Sequence, residues 1–144
     1  MTDESSAHYS KKHGPGAETN PSVEAALKAQ TSNGKLPCAV AFKIASELNV
    51  IPAEVGRNAD LLEMRLTKCQ LGLFGYEPEK RIVQPAESVP EELEKAIRQG
   101  LENGRLPCKT AWHIATSQDL RKMQVSSACE ALKIKIISCQ IGAF

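Results

Sequence analysis

The sequence predicts a mostly α protein made of two tandem three-helix units, each followed by a short β-strand and packed about a pseudo-twofold axis. Three observations carry that expectation. Residues 23–74 align with residues 93–144 without a gap, and 16 of the 52 positions are identical. Within each copy, three successive segments place apolar residues at helical spacing. After the third segment the pattern changes to short runs enriched in β-branched residues, as in Ile134-Lys135-Ile136-Ile137.

Length and composition frame the architecture. The chain has 144 residues with a formal charge of +1. Each copy is near the lower limit for an independent apolar core, so the copies are expected to pack on each other or on a partner. No apolar run reaches the length of a membrane span, and the start of the chain lacks a secretory pattern. Five cysteines without an export signal point to reduced thiols in a cytoplasm. The charge is unevenly spread. The first copy holds six Lys/Arg against five Asp/Glu, and the second holds eight against four, so affinity for polyanions is expected in the second.

Residues 1–19 are polar and interrupted by Gly14-Pro15-Gly16, which reads as a disordered tail. The first repeat then occupies 20–75, a linker with Pro78 and Pro85 occupies 76–89, and the second repeat occupies 90–144. Asn20 is a suitable N-cap for a helix beginning at Pro21, with Asn33-Gly34 as its terminator. The partner helix starts near Pro90, with Glu91, Glu92 and Glu94 at its positive dipole end. The second helices start at Leu36-Pro37-Cys38 and Leu106-Pro107-Cys108, again with proline at the first helical position. The third run from about Pro52 to Glu63 and from about Lys122 to Leu132. The strands, over 64–71 and 134–141, are expected to pair with each other.

Ala45, Asn49 and Val55 in the first copy, and Ala115, Asp119 and Val125 in the second, stand at spacings that pack two helices across a tight turn. The small residue allows close crossing, the Asn or Asp accepts a left-handed conformation, and the branched residue fills the crossing. In these residues each copy resembles the helix-turn-helix of bacterial transcription regulators, and the strand after it is similar to the start of a winged-helix domain. Asn58 and Gln118 fall where that pattern expects apolar residues. Neither strand is followed by the second strand and basic loop of a full wing.

The resemblance implies double-stranded DNA binding and transcriptional regulation through the third helix. The corresponding groove-facing positions hold Ile51, Pro52, Ala53, Gly56, Arg57 and Asp60 in the first copy, where only Arg57 suits a guanine edge. In the second they hold Arg121, Lys122, Met123, Ser126, Ser127 and Glu130, with two cations and two hydroxyls for phosphate or base contacts. The second repeat is therefore the expected DNA-binding unit, and the first, with its apolar Ile51-Pro52-Ala53, a protein-docking unit. The alternative is an adaptor, or a metal- or redox-responsive accessory protein, that uses the same scaffold without DNA.

Cys38 and Cys108 open the second helices, where the helix dipole lowers a thiol pKa. Cys69 and Cys139 occupy matching places in the strands. Together the four suit zinc or an iron–sulfur cluster, although no local cysteine pair is present. Buried core thiols are the expected state, and Cys129 reads as core. No nucleophile–base constellation or phosphate loop is present, so no enzymatic activity is expected.

Overall fold

The computed structural model describes residues 6–144. It contains a 3-10 helix over Ser6–His13, then α1 (Pro21–Gln30), β1 (Lys35–Pro37), α2 (Cys38–Leu48), α3 (Pro52–Leu61) and β2 (Arg65–Thr67). The same order returns as α4 (Glu91–Gln99), β3 (Leu106–Pro107), α5 (Cys108–Ser117), α6 (Lys122–Ala131) and β4 (Ile136–Ile137). The chain is mostly helical. It divides into two compact units, the first made of the described residues up to Cys69 with Ile141–Ala143, the second of Gln70–Gln140 with Phe144.

In unit 1, α1 starts as its sequence dictates. The Asn20 side-chain oxygen accepts hydrogen bonds from the Ser22 and Val23 N–H groups, at 3.0 and 3.4 Å, and Pro21 occupies the first helical position. Asn33-Gly34 does not end this helix directly. The helix stops at Gln30, and the two residues, with φ of 58° and 67°, form a tight turn between Ser32 and Lys35 that leads into β1. Positive φ at both central positions is what a type I′ turn demands, and Asn-Gly supplies it. Asn103 and Gly104, at 53° and 79°, do the same in unit 2.

The helix pair inside each unit has matching joints. Asn49 is left-handed at φ 55°, and the Val50 N–H donates back to the Ala45 carbonyl at 3.0 Å. Asp119 is left-handed at φ 54°, and the Leu120 N–H donates to the Ala115 carbonyl at 2.8 Å. This is the 6→1 closure that satisfies orphan carbonyls at a helix end. The third helices end likewise on left-handed Glu63 and Lys133, with Met64 N–H on the Ala59 carbonyl and Ile134 N–H on the Cys129 carbonyl.

The cores are built from the expected stripes. Val23, Leu27, Leu36, Ile44 and Val55 are buried in unit 1, and Leu93, Ile97, Leu106, Ile114 and Val125 in unit 2. Each such side chain contributes about 1.5–3 kcal/mol by leaving water. Asn58, expected as a misfit, is fully buried and well bonded. Its oxygen accepts the Asn20 N–H at 2.6 Å, and its nitrogen donates to the carbonyl and carboxylate of Glu54 at 2.8 and 2.9 Å. It thereby ties α3 to the start of α1.

Two expectations are corrected. The strands do not pair with each other. β2 lies parallel to β1 in the register Leu36↔Leu66, and β4 lies parallel to β3 as Leu106↔Ile136. A strand–helix–helix–strand path is long enough for the crossover that parallel pairing requires, and two-stranded sheets tolerate the missing N–H of Pro37 and Pro107. The N-terminal segment is not a free tail from residue 6 onward. The Tyr9 and Ser10 N–H groups donate to the Glu63 carboxylate, and Lys12 and His13 meet Asp60 at 3.0 and 2.8 Å; residues 1–5 lie outside the described residues. The segment between the repeats is irregular but fixed to unit 2, where Val83 is buried and the Ile82 and Val83 N–H groups donate to the Gly72 carbonyl.

Unit 1 is closed by residues from the far end of the chain. A Cβ added to Gly56 on α3 would stand 1.7 Å from the Ile141 carbonyl oxygen. Gly56→Ala is expected to force the 141–143 segment away and to lower stability by about 1–3 kcal/mol, read as a lower urea midpoint. An unchanged midpoint would show that this close approach is dispensable.

Candidate interaction surfaces on the third helices

The second repeat was expected to present α6 to DNA. Its start is open. Arg121 is the exposed N-cap residue in extended conformation, and its N–H donates to the Gln124 side-chain oxygen at 2.7 Å. Lys122 lies with its ammonium 4.5 Å from the centre of the Trp112 ring, a cation–π contact of about 0.5–1 kcal/mol. Arg121, Lys122, Gln124 and Ser127 border a recess of about 560 Å³ that Gln70 and Ser88 also line.

From Met123 onward, the side of the helix that carries residues 123, 127 and 130 is covered by its own unit. Met123 packs against Gly72, where an added Cβ would stand 3.2 Å from both the methionine sulfur and its methyl carbon. The Ser127 carbonyl accepts the Ala86 N–H at 3.0 Å, and Glu130 is ion-paired with Arg81. Positions 123, 127 and 130 share one helical face, so residues 72–86 lie along that face as a strap. Ser126 is fully buried and its hydroxyl has no hydrogen-bond partner. It is a core residue in this conformation, not a surface hydroxyl.

On α3 the corresponding side is also occupied. Ile141 covers Gly56, while Asp60 and Glu63 hold the 3-10 helix. Arg57 is committed to its own unit. Its guanidinium grips Glu54 through two bonds of 2.9 and 2.8 Å and donates to the Glu18 carbonyl at 2.9 Å. The two bonds to Glu54, with a smaller contribution from Asn58, hold its carboxyl below the usual range. The guanidinium is thus engaged rather than extended towards a base edge. The open feature here is Ile51, the N-cap of α3, with 69% of its surface exposed.

Cys38 and Cys108 do open α2 and α5, but both are buried, as are Cys69 and Cys129, and Cys139 is half-buried. Among the described residues no group of three or more His, Cys, Asp or Glu is placed to hold a metal ion. Gln140, which follows Cys139 as Gln70 follows Cys69, has a local role in unit 2, where its amide donates to the Cys108 sulfur at 3.7 Å. Burial pushes the Cys129 thiol up to about 12.

Two consequences are measurable. Ser126→Ala removes a buried hydroxyl that bonds nothing, so stability is expected to hold or rise by up to about 1 kcal/mol in urea unfolding; a clear loss would place a bonded hydroxyl there. Alkylation of the native protein by iodoacetamide at pH 8, followed by mass spectrometry, should modify Cys139 first. Cys129 should react only on unfolding, because burial both shields it and keeps it protonated. Labelling of Cys108 as fast as Cys139 would contradict this order.

Compared with known protein families, curated proteins and solved structures, the chain matches none of them, so its functional reading rests on the surfaces described above.

Proposed function

We propose that the chain is an adaptor built on two helix-turn-helix-like units, binding partners through the exposed starts of its third helices and not reading base edges with α6. The observation that carries this reading is the cover over α6: Gly72, Arg81 and Ala86 lie on the side that would have to enter a DNA groove. Base readout needs several side chains of one helix face at the groove floor, and the face of α6 that carries residues 123, 127 and 130 is covered.

The same structural position carries different chemistry in the two units. At the start of α3 stands exposed Ile51, followed by Pro52 and exposed Ala53. At the start of α6 stand Arg121, Lys122 and Met123. The first suits an apolar patch on a protein partner, since a large exposed aliphatic residue gains most by being covered. The second suits an anionic group.

That second surface also favours another reading: sequence-independent DNA binding, with Arg121 and Lys122 on phosphates, as part of a transcriptional regulator. The basic excess of the second repeat supports it.

Anisotropy of a labelled mixed-sequence duplex separates the two. For the adaptor, association is confined to low salt and absent at physiological salt. Any low-salt affinity should fall with a log–log slope of magnitude about 2, as for two phosphate contacts, and vanish in Arg121→Ala/Lys122→Ala. Sequence-selective binding at physiological salt, with a slope of about 6 or more, would overturn the proposal. A photo-reactive phenylalanine analogue at position 51 should capture a discrete partner in cells, and the same group at Lys43 should not.

A further inference from the structure

A second recess in unit 2, distinct from the start of α6, has the composition of a ligand site. It measures about 540 Å³ and lies beside β4, within the range of small-molecule sites. Its floor includes Phe74 and Phe144, whose rings meet edge to face at 6.0 Å and 87°, with Ile134 and Ile136 beside them. Phe144 keeps 48% of its surface exposed, so a large aromatic ring faces water inside an apolar hollow. Lys133 and Lys135 supply positive charge at the same recess, and the one acidic side chain in its lining, Glu130, is paired with Arg81. Both lysines are exposed, and neither takes part in an ion pair among the described residues.

We propose that this recess binds a small amphiphilic organic anion: a flat aromatic or short aliphatic body on the phenylalanine floor, with a carboxylate or sulfonate at Lys133 and Lys135. Three constraints meet in that class. The apolar floor gains from covering Phe144, the two lysines carry uncompensated charge, and the volume admits a body of one or two rings. The comparison with unit 1 is instructive. The residue matching Lys133 is Glu63, which is filled by the N–H groups of Tyr9 and Ser10 from the 3-10 helix. The position is a receptor for backbone donors in one unit, and carries the opposite sign and stands open in the other.

The probe is 8-anilinonaphthalene-1-sulfonate, with N-phenyl-1-naphthylamine as the same ring body without the sulfonate. The sulfonate is expected to bind the folded full chain saturably at one site, and the uncharged analogue more weakly. Lys133→Gln/Lys135→Gln should weaken sulfonate binding about five- to tenfold and leave the uncharged analogue unaffected. Phe144→Ala should weaken both. The lysines are exposed, so their variant keeps the test valid if the phenylalanine variant loses structure, which near-UV circular dichroism would reveal. Displacement by benzoate indicates a flat aromatic acid, and displacement by octanoate an aliphatic one. Equal affinity for the two probes, insensitivity to the lysine pair, or failure of both acids to displace the sulfonate would overturn the proposal.

Discussion

Parallel pairing of a strand before each helix pair with a strand after it sets the geometry of both units. Because β1 and β2 run in the same direction, α2 and α3 must carry the chain back to the starting level within one crossover. The left-handed residues at Asn49 and Glu63 are the two places where the path reverses. Asp119 and Lys133 do the same between β3 and β4. A left-handed conformation costs a non-glycine residue about 1–2 kcal/mol, and the carbonyls it satisfies offset that cost.

Local features of this arrangement were legible in the sequence because they depend on neighbouring residues. Asn20 caps, Asn49 and Asp119 turn, Ala45 and Ala115 permit close crossing, and the apolar stripes name the core. What the sequence hid were contacts between distant segments. Gly56 reads as a groove-facing residue until Ile141 is seen on it. A glycine inside a helix, at about 1 kcal/mol against alanine, was the available sign that something approaches there. Ser126 reads as a surface hydroxyl for the same reason, since no local pattern announces the strap. Asn58 looks misplaced because its partner, the Asn20 N–H, belongs to another helix.

The two units show how one skeleton supports different surfaces by changing few side chains. Ile51 against Arg121, Gly56 against Ser126 and Glu63 against Lys133 replace an apolar knob, a backbone contact and an acceptor with a cation, a buried hydroxyl and a second cation. The inner positions change far less, because close packing punishes volume changes that solvent-facing positions absorb. The side chains differ at the rim while the packing joints share their geometry.

The membership of Ile141–Ala143 in unit 1 has a kinetic meaning. A ribosome releases most of unit 1 long before it has made the residues that cover Gly56, and all of unit 2 but Phe144 is made in between. Unit 1 must therefore wait with one flank of α3 uncovered, a contact of high sequence separation that closes late and slowly. Completion of the first unit reports that the second has been synthesised, so the two halves of this chain mature as one product and not in succession.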